Sequence, residues 1–198
     1  LYKIVQIAGF HMSASSLIFP GTYLIIDIVT ELYGYELAKR LIWQSTIFNV
    51  IFSTLIHFLL LLPSPDNWKL ALAFDEVFYD IAMISIIHAV ASPLSYFVNA
   101  YILSKWKIIT HGRYFWFRSI NSSLVGELVF SILMAGFIWR GHTKEFIIQV
   151  IITTYLSKFV WAIVGSIPAS IIVSKIRKKE NIDVYDYSTN FNPFHFTK

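Results

Sequence analysis

The stretch Phe19–Arg40, "FPGTYLIIDIVTELYGYELAKR", places two carboxylates inside an apolar segment. Pro20 suits a helix start, because it has no N–H to leave unpaired, and Gly34 suits a helix end. At about 100° per residue, one face of the intervening helix carries Tyr23, Asp27, Thr30, Glu31 and Gly34. Ionisable residues inside a membrane span usually face the protein interior and serve function. We therefore predict that this face lines an internal polar site.

The composition indicates a membrane protein. The chain has 198 residues, of which 56% are hydrophobic and 14% are charged, whereas a soluble domain carries about 25% charged residues. There is no cysteine, which excludes disulfides, thiolate metal sites and a cysteine nucleophile. The net charge of +4 does not indicate nucleic-acid binding, because the basic residues lie at the ends of apolar runs.

The apolar runs predict an all-α, polytopic membrane helix bundle. A span needs roughly 20 mostly apolar residues. Five runs qualify: Ser15–Tyr33, Leu41–Leu62, Ile81–Leu103 with an amphipathic lead-in from Leu70, Phe117–Trp139 and Phe146–Val173. We interpret Leu1–Phe10 as the end of an earlier helix, which gives six spans in the full-length protein. The bundle then occupies residues 1–174, and residues 175–198 form a polar cytoplasmic tail.

Lysine and arginine predict the orientation of the bundle. One side of the predicted topology carries 11 of them: Lys39, Arg40, Lys105, Lys107, Arg113, Arg118, Lys175, Arg177, Lys178, Lys179 and Lys198. The other side carries 4: Lys3, Lys69, Arg140 and Lys144. Because cytoplasmic loops are enriched in these residues, the C-terminus is predicted to be cytoplasmic.

Two further predicted spans carry polar residues. His88, Ser92, Ser95, Tyr96 and Asn99 share one face of the third span. For the serines, packing between helices is the simpler explanation, whereas Tyr96 and Asn99 are expected to line a cavity.

The fourth span carries Arg118 and Asn121 on one side and Glu127 on the other. At ~1.5 Å per residue, Glu127 lies near the middle of the bilayer. A buried pair with Lys158 of the fifth span explains it as well as a ligand role does. Similarly, an ion pair with Lys39 or Arg40 would explain Glu31 without a ligand.

Catalytic motifs are lacking in this sequence. It contains no H-E-x-x-H zinc motif, no G-x-S-x-G elbow and no Walker A loop, and its six histidines have no ligand spacing. The sequence therefore predicts neither a metal nor a cofactor, and it favours a carrier over an enzyme. An intramembrane enzyme using Glu127 or a histidine stays as an alternative.

Several blocks together resemble the bacterial queuosine precursor transporters, a family also described as putative vitamin uptake transporters. They are "SLIFPGTYLIIDIVTELYGYELAKRLIW", "ASPLSYFVNAYILSKWK", "RYFWFRSINSSLVGE" and "VYDYSTNFNPF". The resemblance implies six helices, arranged like the substrate-binding subunits of energy-coupling-factor transporters, in the bacterial plasma membrane. It also implies uptake of 7-cyano-7-deazaguanine, 7-aminomethyl-7-deazaguanine or queuine for modification of the tRNA wobble base.

Together, the residues and the resemblance define a candidate substrate site. A guanine-like edge offers an N–H and an amino group, which a carboxylate can accept together. The candidate residues are Asp27, Thr30, Glu31, Tyr96, Asn99, Arg118, Asn121 and Glu127. A carrier of another vitamin or nucleobase stays an alternative. A homodimer and an ATP-driven energy-coupling module are both compatible partners, and no nucleic-acid partner is expected.

Overall fold

The computed structural model describes residues 4–7, 10–65, 67–138 and 143–195. Within these ranges the chain forms a short hairpin and four α-helices: β1 (Ile4–Ile7), β2 (Phe10–Ser13), α1 (Pro20–Leu60), α2 (Ala71–Ile109), α3 (Phe115–Ile138) and α4 (Lys144–Glu180). A single 3₁₀ turn, Ala14–Leu17, joins β2 to α1. The predicted helix bundle is therefore present, with one two-stranded addition.

The N-terminal segment is not the end of a helix, so that prediction is wrong for the residues described. Ile4 pairs with Ser13 and Ile7 with Phe10 in an antiparallel hairpin. Isoleucine and valine dominate β1, and β-branched residues favour extended backbone. Residues 1–3, 8 and 9, which belonged to the same prediction, lie outside the described residues.

The prediction of five spans is not supported. The described part of the chain has three helices long and apolar enough to cross a membrane: Pro20–Leu60, Ala71–Ile109 and Ile151–Glu180. The first two predicted spans overlap α1 on either side of the break at Gly34 and are assigned together as Pro20–Leu60. The predicted fourth span corresponds to α3, whose described portion carries Arg118 and Glu127, and its end at Trp139 lies outside the described residues.

Gly34 interrupts α1 and reverses the direction of the chain. Its backbone angles are φ 80° and ψ 176°, outside the helical region and in one that favours glycine. Before Gly34, Tyr23 contacts Ser95 and Asp27 contacts Asn99, so the first part of α1 runs parallel to α2. After Gly34, Asn49 contacts Ser85 and Ser53 contacts Ala82, so the second part of α1 runs antiparallel to α2. Both parts of α1 therefore pack on α2.

The surface of the helices is apolar, as contact with lipid requires. Large exposed side chains on the helices include Phe48, Leu72, Ile109, Ile132 and Ile167. The interior instead contains many polar groups, and Asp27, Glu31, Asn99 and Arg118 are all fully buried. This inversion of a soluble protein's pattern makes the polar interior the place to look for function.

Candidate functional site

Asp27 is the central acceptor of the polar interior. Its carboxylate accepts hydrogen bonds from Asn99 Nδ2 of α2 at 2.7 Å and from two serines of α3, Ser119 and Ser123. Asp27 therefore ties α1 to both neighbouring helices. The predicted inward face of α1 is confirmed, since Tyr23, Thr30 and Gly34 are buried as well.

Glu31 is paired with arginine. Arg118 donates to both carboxylate oxygens, at 2.7 and 2.9 Å, and Arg177 Nη2 donates to Oε1 at 2.7 Å. Bidentate guanidinium–carboxylate pairs are among the strongest polar contacts in proteins. These cations compensate the charge of Glu31, so Asp27 and Glu31 can lie one turn apart. The contacts favour a structural role for Glu31, with arginine partners instead of Lys39 or Arg40.

The C-terminal tail, residues 181–195, closes the end of the bundle near Glu31. Lys107 Nζ donates to Asp183 at 2.6 Å, to Val184 O at 2.7 Å and to Glu31 O at 2.5 Å. Asp186, which is 4% exposed, accepts from the backbone N–H of Tyr35 at 3.0 and 3.2 Å. That N–H is exposed by the break at Gly34, so the tail caps the second part of α1.

Aromatic residues of the tail pack on the same end. Phe191 lies 4.8 Å from Tyr35 and 5.0 Å from Tyr101, measured between ring centres, and Trp43 Nε1 donates to Pro193 O at 2.8 Å. These aromatic contacts hold the described part of the tail against the bundle.

A second polar group lies toward the start of α1. Lys158 of α4 forms an ion pair with Glu127 of α3 at 2.6 Å, with both side chains 4% exposed. The Lys158 ammonium also lies 4.8 Å from the ring centre of Phe130 and 5.8 Å from that of Phe19. The buried Glu127–Lys158 pair anticipated as an alternative is therefore present.

Aromatic rings from three helices meet beside this pair. Phe19 lies 5.0 Å from His88, 4.8 Å from Phe130 and 6.3 Å from Tyr96 between ring centres, and it is stacked on Tyr96. Tyr23 approaches Tyr96 edge-on at 4.9 Å. We call these five residues the aromatic cluster. Flat rings in this arrangement can stack on an aromatic ligand.

One buried acceptor at the aromatic cluster, Asn99 Oδ1, has no hydrogen-bond donor among the described residues. Glu127 Oε2, by contrast, is in charge-assisted contact with Lys158 Nζ at 2.6 Å. Buried polar atoms are rarely left unpaired, and a bound ligand or water commonly completes such sites. Asn99 Oδ1 is therefore a candidate contact for a molecule with hydrogen-bond donors.

Gly126 lets α3 approach α1 and α2 closely beside Asn99. A Cβ added there would lie 2.9 Å from Ser95 O, 3.0 Å from Asn99 Cβ and 3.0 Å from Tyr23 Cε1. Only glycine permits this approach of α3 to α1 and α2. Asn99 consequently lies against the residue that precedes Glu127.

The remaining predicted site residues differ in position. The Tyr96 hydroxyl shares a 2.7 Å hydrogen bond with Thr22 Oγ1 at the aromatic cluster. Thr30 and Asn121 bond to backbone carbonyls of their own helices, Ile26 O and Phe117 O. Asn121 faces away from Asp27 and lies in a groove of about 490 Å³ between α3 and α4. The groove is lined by Trp116, Phe117, Ile120, Asn121, Leu124, Phe159, Ile163, Ser166 and Ile167.

Sequence reasoning missed several contributors to the site. Phe19 and Phe130 look like ordinary apolar residues, and Ser119 and Arg177 look like a helix-packing serine and a topology-setting arginine. No fixed spacing links them, because they lie on different helices. Among the described residues, no group of three or more His, Asp or Glu is arranged to hold a metal ion.

Comparison with known proteins adds the family. No curated protein and no solved structure matches the chain. A family model described as "Putative vitamin uptake transporter" matches residues 13–173, which include all of α1, α2 and α3 and most of α4. A transporter family, apolar spanning helices and a buried polar interior agree with one another. The chain belongs to the putative vitamin uptake transporter family.

Proposed function

We propose that this protein imports queuosine precursors, 7-deazaguanine bases, across the bacterial plasma membrane. The observation that carries the proposal is the unpaired buried acceptor Asn99 Oδ1, which lies beside the aromatic cluster and close to the helix turn that carries the Glu127 carboxylate. A 7-deazaguanine offers an N–H and an amino group as donors and a flat ring for stacking. Both features match the acceptors and the rings of the site.

Each candidate residue receives a role from its contacts. Tyr96, Asn99 and Glu127 contact the substrate. Asp27 fixes the orientation of Asn99, because it accepts from Nδ2 and leaves Oδ1 free.

The other candidates support the site. Glu31 and Arg118 hold the helix end beneath it, and Thr30 stabilises α1 through its bond to Ile26 O. Asn121 belongs to the groove between α3 and α4, outside the substrate site.

The tail end of the bundle is proposed to face the cytoplasm. Lys39 donates to His195 O, Lys107 pairs with Asp183, and Lys105 lies 4.3 Å from the ring centre of Phe191. These lysines therefore lie at one end of the bundle, together with Arg118 and Arg177. Such clustering of basic residues is typical of the cytoplasmic side.

The test is uptake by the purified protein in liposomes. We expect accumulation of labelled 7-aminomethyl-7-deazaguanine that unlabelled 7-cyano-7-deazaguanine suppresses. The family's description favours a vitamin carrier as the second candidate. Uptake of a vitamin, without uptake of any 7-deazaguanine, would establish that alternative and reject our proposal.

A further inference from the structure

Among the buried carboxylates of the described helices, only Asp27 forms no ion pair with a described residue. The others are compensated, and their pairs are Glu31 with Arg118 and Arg177, and Glu127 with Lys158. Asp27 is fully buried, and its partners are an amide and two hydroxyls. A negative charge without a counter-charge is costly inside a membrane protein. A bound proton removes that cost.

The groups that face Asp27 from the neighbouring helices carry no charge. Asn99 of α2 donates to its Oδ1, and Ser119 and Ser123 of α3 contact its Oδ2. On α1 itself, the titratable groups that interact with Asp27 electrostatically are Tyr23 and Glu31. The buried or half-buried cations of the other helices are paired with other carboxylates; they are Lys107 on α2, Arg118 on α3, and Lys158 and Arg177 on α4. No ion pair therefore holds Asp27 in its charged form.

The two serine hydroxyls can satisfy Asp27 in either protonation state. A hydroxyl group both donates and accepts, so Ser119 and Ser123 donate to Oδ2 when the carboxylate is ionised. With a proton on Oδ2, the new O–H can donate to one of these hydroxyl oxygens, of which Ser123 Oγ lies 3.0 Å away. Guanidinium and ammonium groups can only donate, so the cations paired with Glu31 and Glu127 do not offer this exchange.

Asn99 connects Asp27 to the proposed substrate contact. Its Nδ2 donates to Asp27 Oδ1 at 2.7 Å, and its own Oδ1 is the unpaired acceptor. Hydrogen bonds to an ionised acceptor are roughly twice as strong as neutral ones, so proton binding weakens the contact that orients Asn99. The charge of Asp27 and the position of the acceptor are thereby linked through one side chain.

We infer that Asp27 is a proton-binding site that couples import of the substrate to the entry of one proton. The proton comes from water on the outside, forms an O–H bond with Asp27 Oδ2 and makes the carboxylate neutral. It returns to water on the cytoplasmic side, where that O–H bond breaks and the negative charge is restored. This inference rests on the proposed function and extends it, because it names the energy source of import.

The test measures uptake by the purified protein in liposomes whose outside is more acidic than the lumen. The probe is labelled 7-cyano-7-deazaguanine, which is neutral, and potassium with valinomycin holds the membrane potential at zero. A gradient of about two pH units can then sustain at most roughly 100-fold accumulation for one proton per substrate. We expect the unmodified protein to reach at least about tenfold accumulation, and a protonophore should abolish it.

Asp27→Asn fixes the neutral form without changing the size of the side chain. The new amide can accept from Asn99 and donate to a serine hydroxyl, so the fold and the exchange of labelled for unlabelled substrate should be kept. Accumulation driven by the proton gradient should be lost. Asp80→Asn removes an exposed carboxylate of α2, and this control should accumulate substrate like the unmodified protein.

Ser123→Ala provides a second test that leaves Asp27 in place. Loss of a donor to the ionised carboxylate favours the protonated form. The external pH of half-maximal uptake should therefore rise by about one unit or more. An unchanged pH profile in Ser123→Ala would overturn the assignment to Asp27, even if Asp27→Asn fails to fold.

The outcomes distinguish the two proposals. If the unmodified protein neither takes up nor exchanges any 7-deazaguanine, the proposed function is rejected and this inference with it. If it takes up the probe equally with and without the proton gradient, or if Asp27→Asn still accumulates the probe under the gradient, the proposed function stands and only the inference about Asp27 is overturned.

Discussion

Replacing Glu31 by glutamine separates a structural from a recognition role for this carboxylate. Glutamine keeps the size of the side chain but removes its charge, so Arg118 and Arg177 lose the counter-charge that both now contact. Glu31 and Arg118 are fully buried. Breaking a buried ion pair by removing one partner costs about 3–5 kcal/mol. The free energy of unfolding should fall by about this amount.

The measurement is thermal unfolding in detergent, paired with binding of 7-aminomethyl-7-deazaguanine. At roughly 2–4 °C per kcal/mol for a chain of this size, the melting temperature should fall by roughly 6–20 °C. Ligand affinity of the folded fraction should change by less than about threefold, because Glu31 has no free acceptor in the structure. Glu36→Gln is the comparison variant: Glu36 is 32% exposed, and its buried partner Lys39 also donates to His195 O, so its loss should cost less than the loss of Glu31.

Two results would refute this reasoning. A Glu31→Gln protein as stable as the Glu36→Gln control would show that the arginine contacts contribute nothing. A stable Glu31→Gln protein with affinity reduced roughly 30-fold or more would show that Glu31 binds the ligand through a charge-assisted bond.

Three further predictions address the fold and the topology. Asp186→Asn should lower the free energy of unfolding by about 1–3 kcal/mol, measured by melting temperature, because the buried N–H cap of α1 loses a charged acceptor. Gly126→Ala should destabilise the protein by about 1–3 kcal/mol and slow uptake, since the new methyl meets the backbone of α2, whereas Gly21→Ala, with open space around it, should do neither. A single cysteine introduced at Lys178 should react with a membrane-impermeant thiol reagent added on the cytoplasmic side, and one introduced at Asn67 should react from the outside. Labelling of both cysteines from the same side would contradict the topology.

The helical content, the polar face of α1 and the break at Gly34 were predictable, because each depends on local sequence. The ion-pair partners of the buried charges were not predictable. Proximity in sequence pointed Glu31 to Lys39 or Arg40, whereas packing gives it Arg118 and Arg177, which lie 87 and 146 residues away. Two-residue alternation is weak in "IVQI", so the extended conformation of β1 becomes evident only with its partner strand.

The site was only partly predictable for a similar reason. Asn99 and Glu127 attracted attention as polar residues at membrane depth, but which of their atoms stay unpaired depends on three helices meeting at Gly126. Phe19 and Phe130 carry no distinguishing pattern, since an apolar residue inside a membrane bundle is the common case. Periodicity identifies a helix face, and it cannot say which faces meet.

The capping of α1 by Asp186 has a consequence for biosynthesis. The Tyr35 N–H and the carboxylate that caps it are separated by 151 residues, which a ribosome adds in roughly 8–30 s at about 5–20 residues per second. During that interval α2, α3 and α4 emerge while the amide beyond Gly34 still lacks its acceptor. The two halves of α1 are therefore joined without this cap until residue 186 has been added, and a residue that follows α4 in the sequence fixes the geometry of α1.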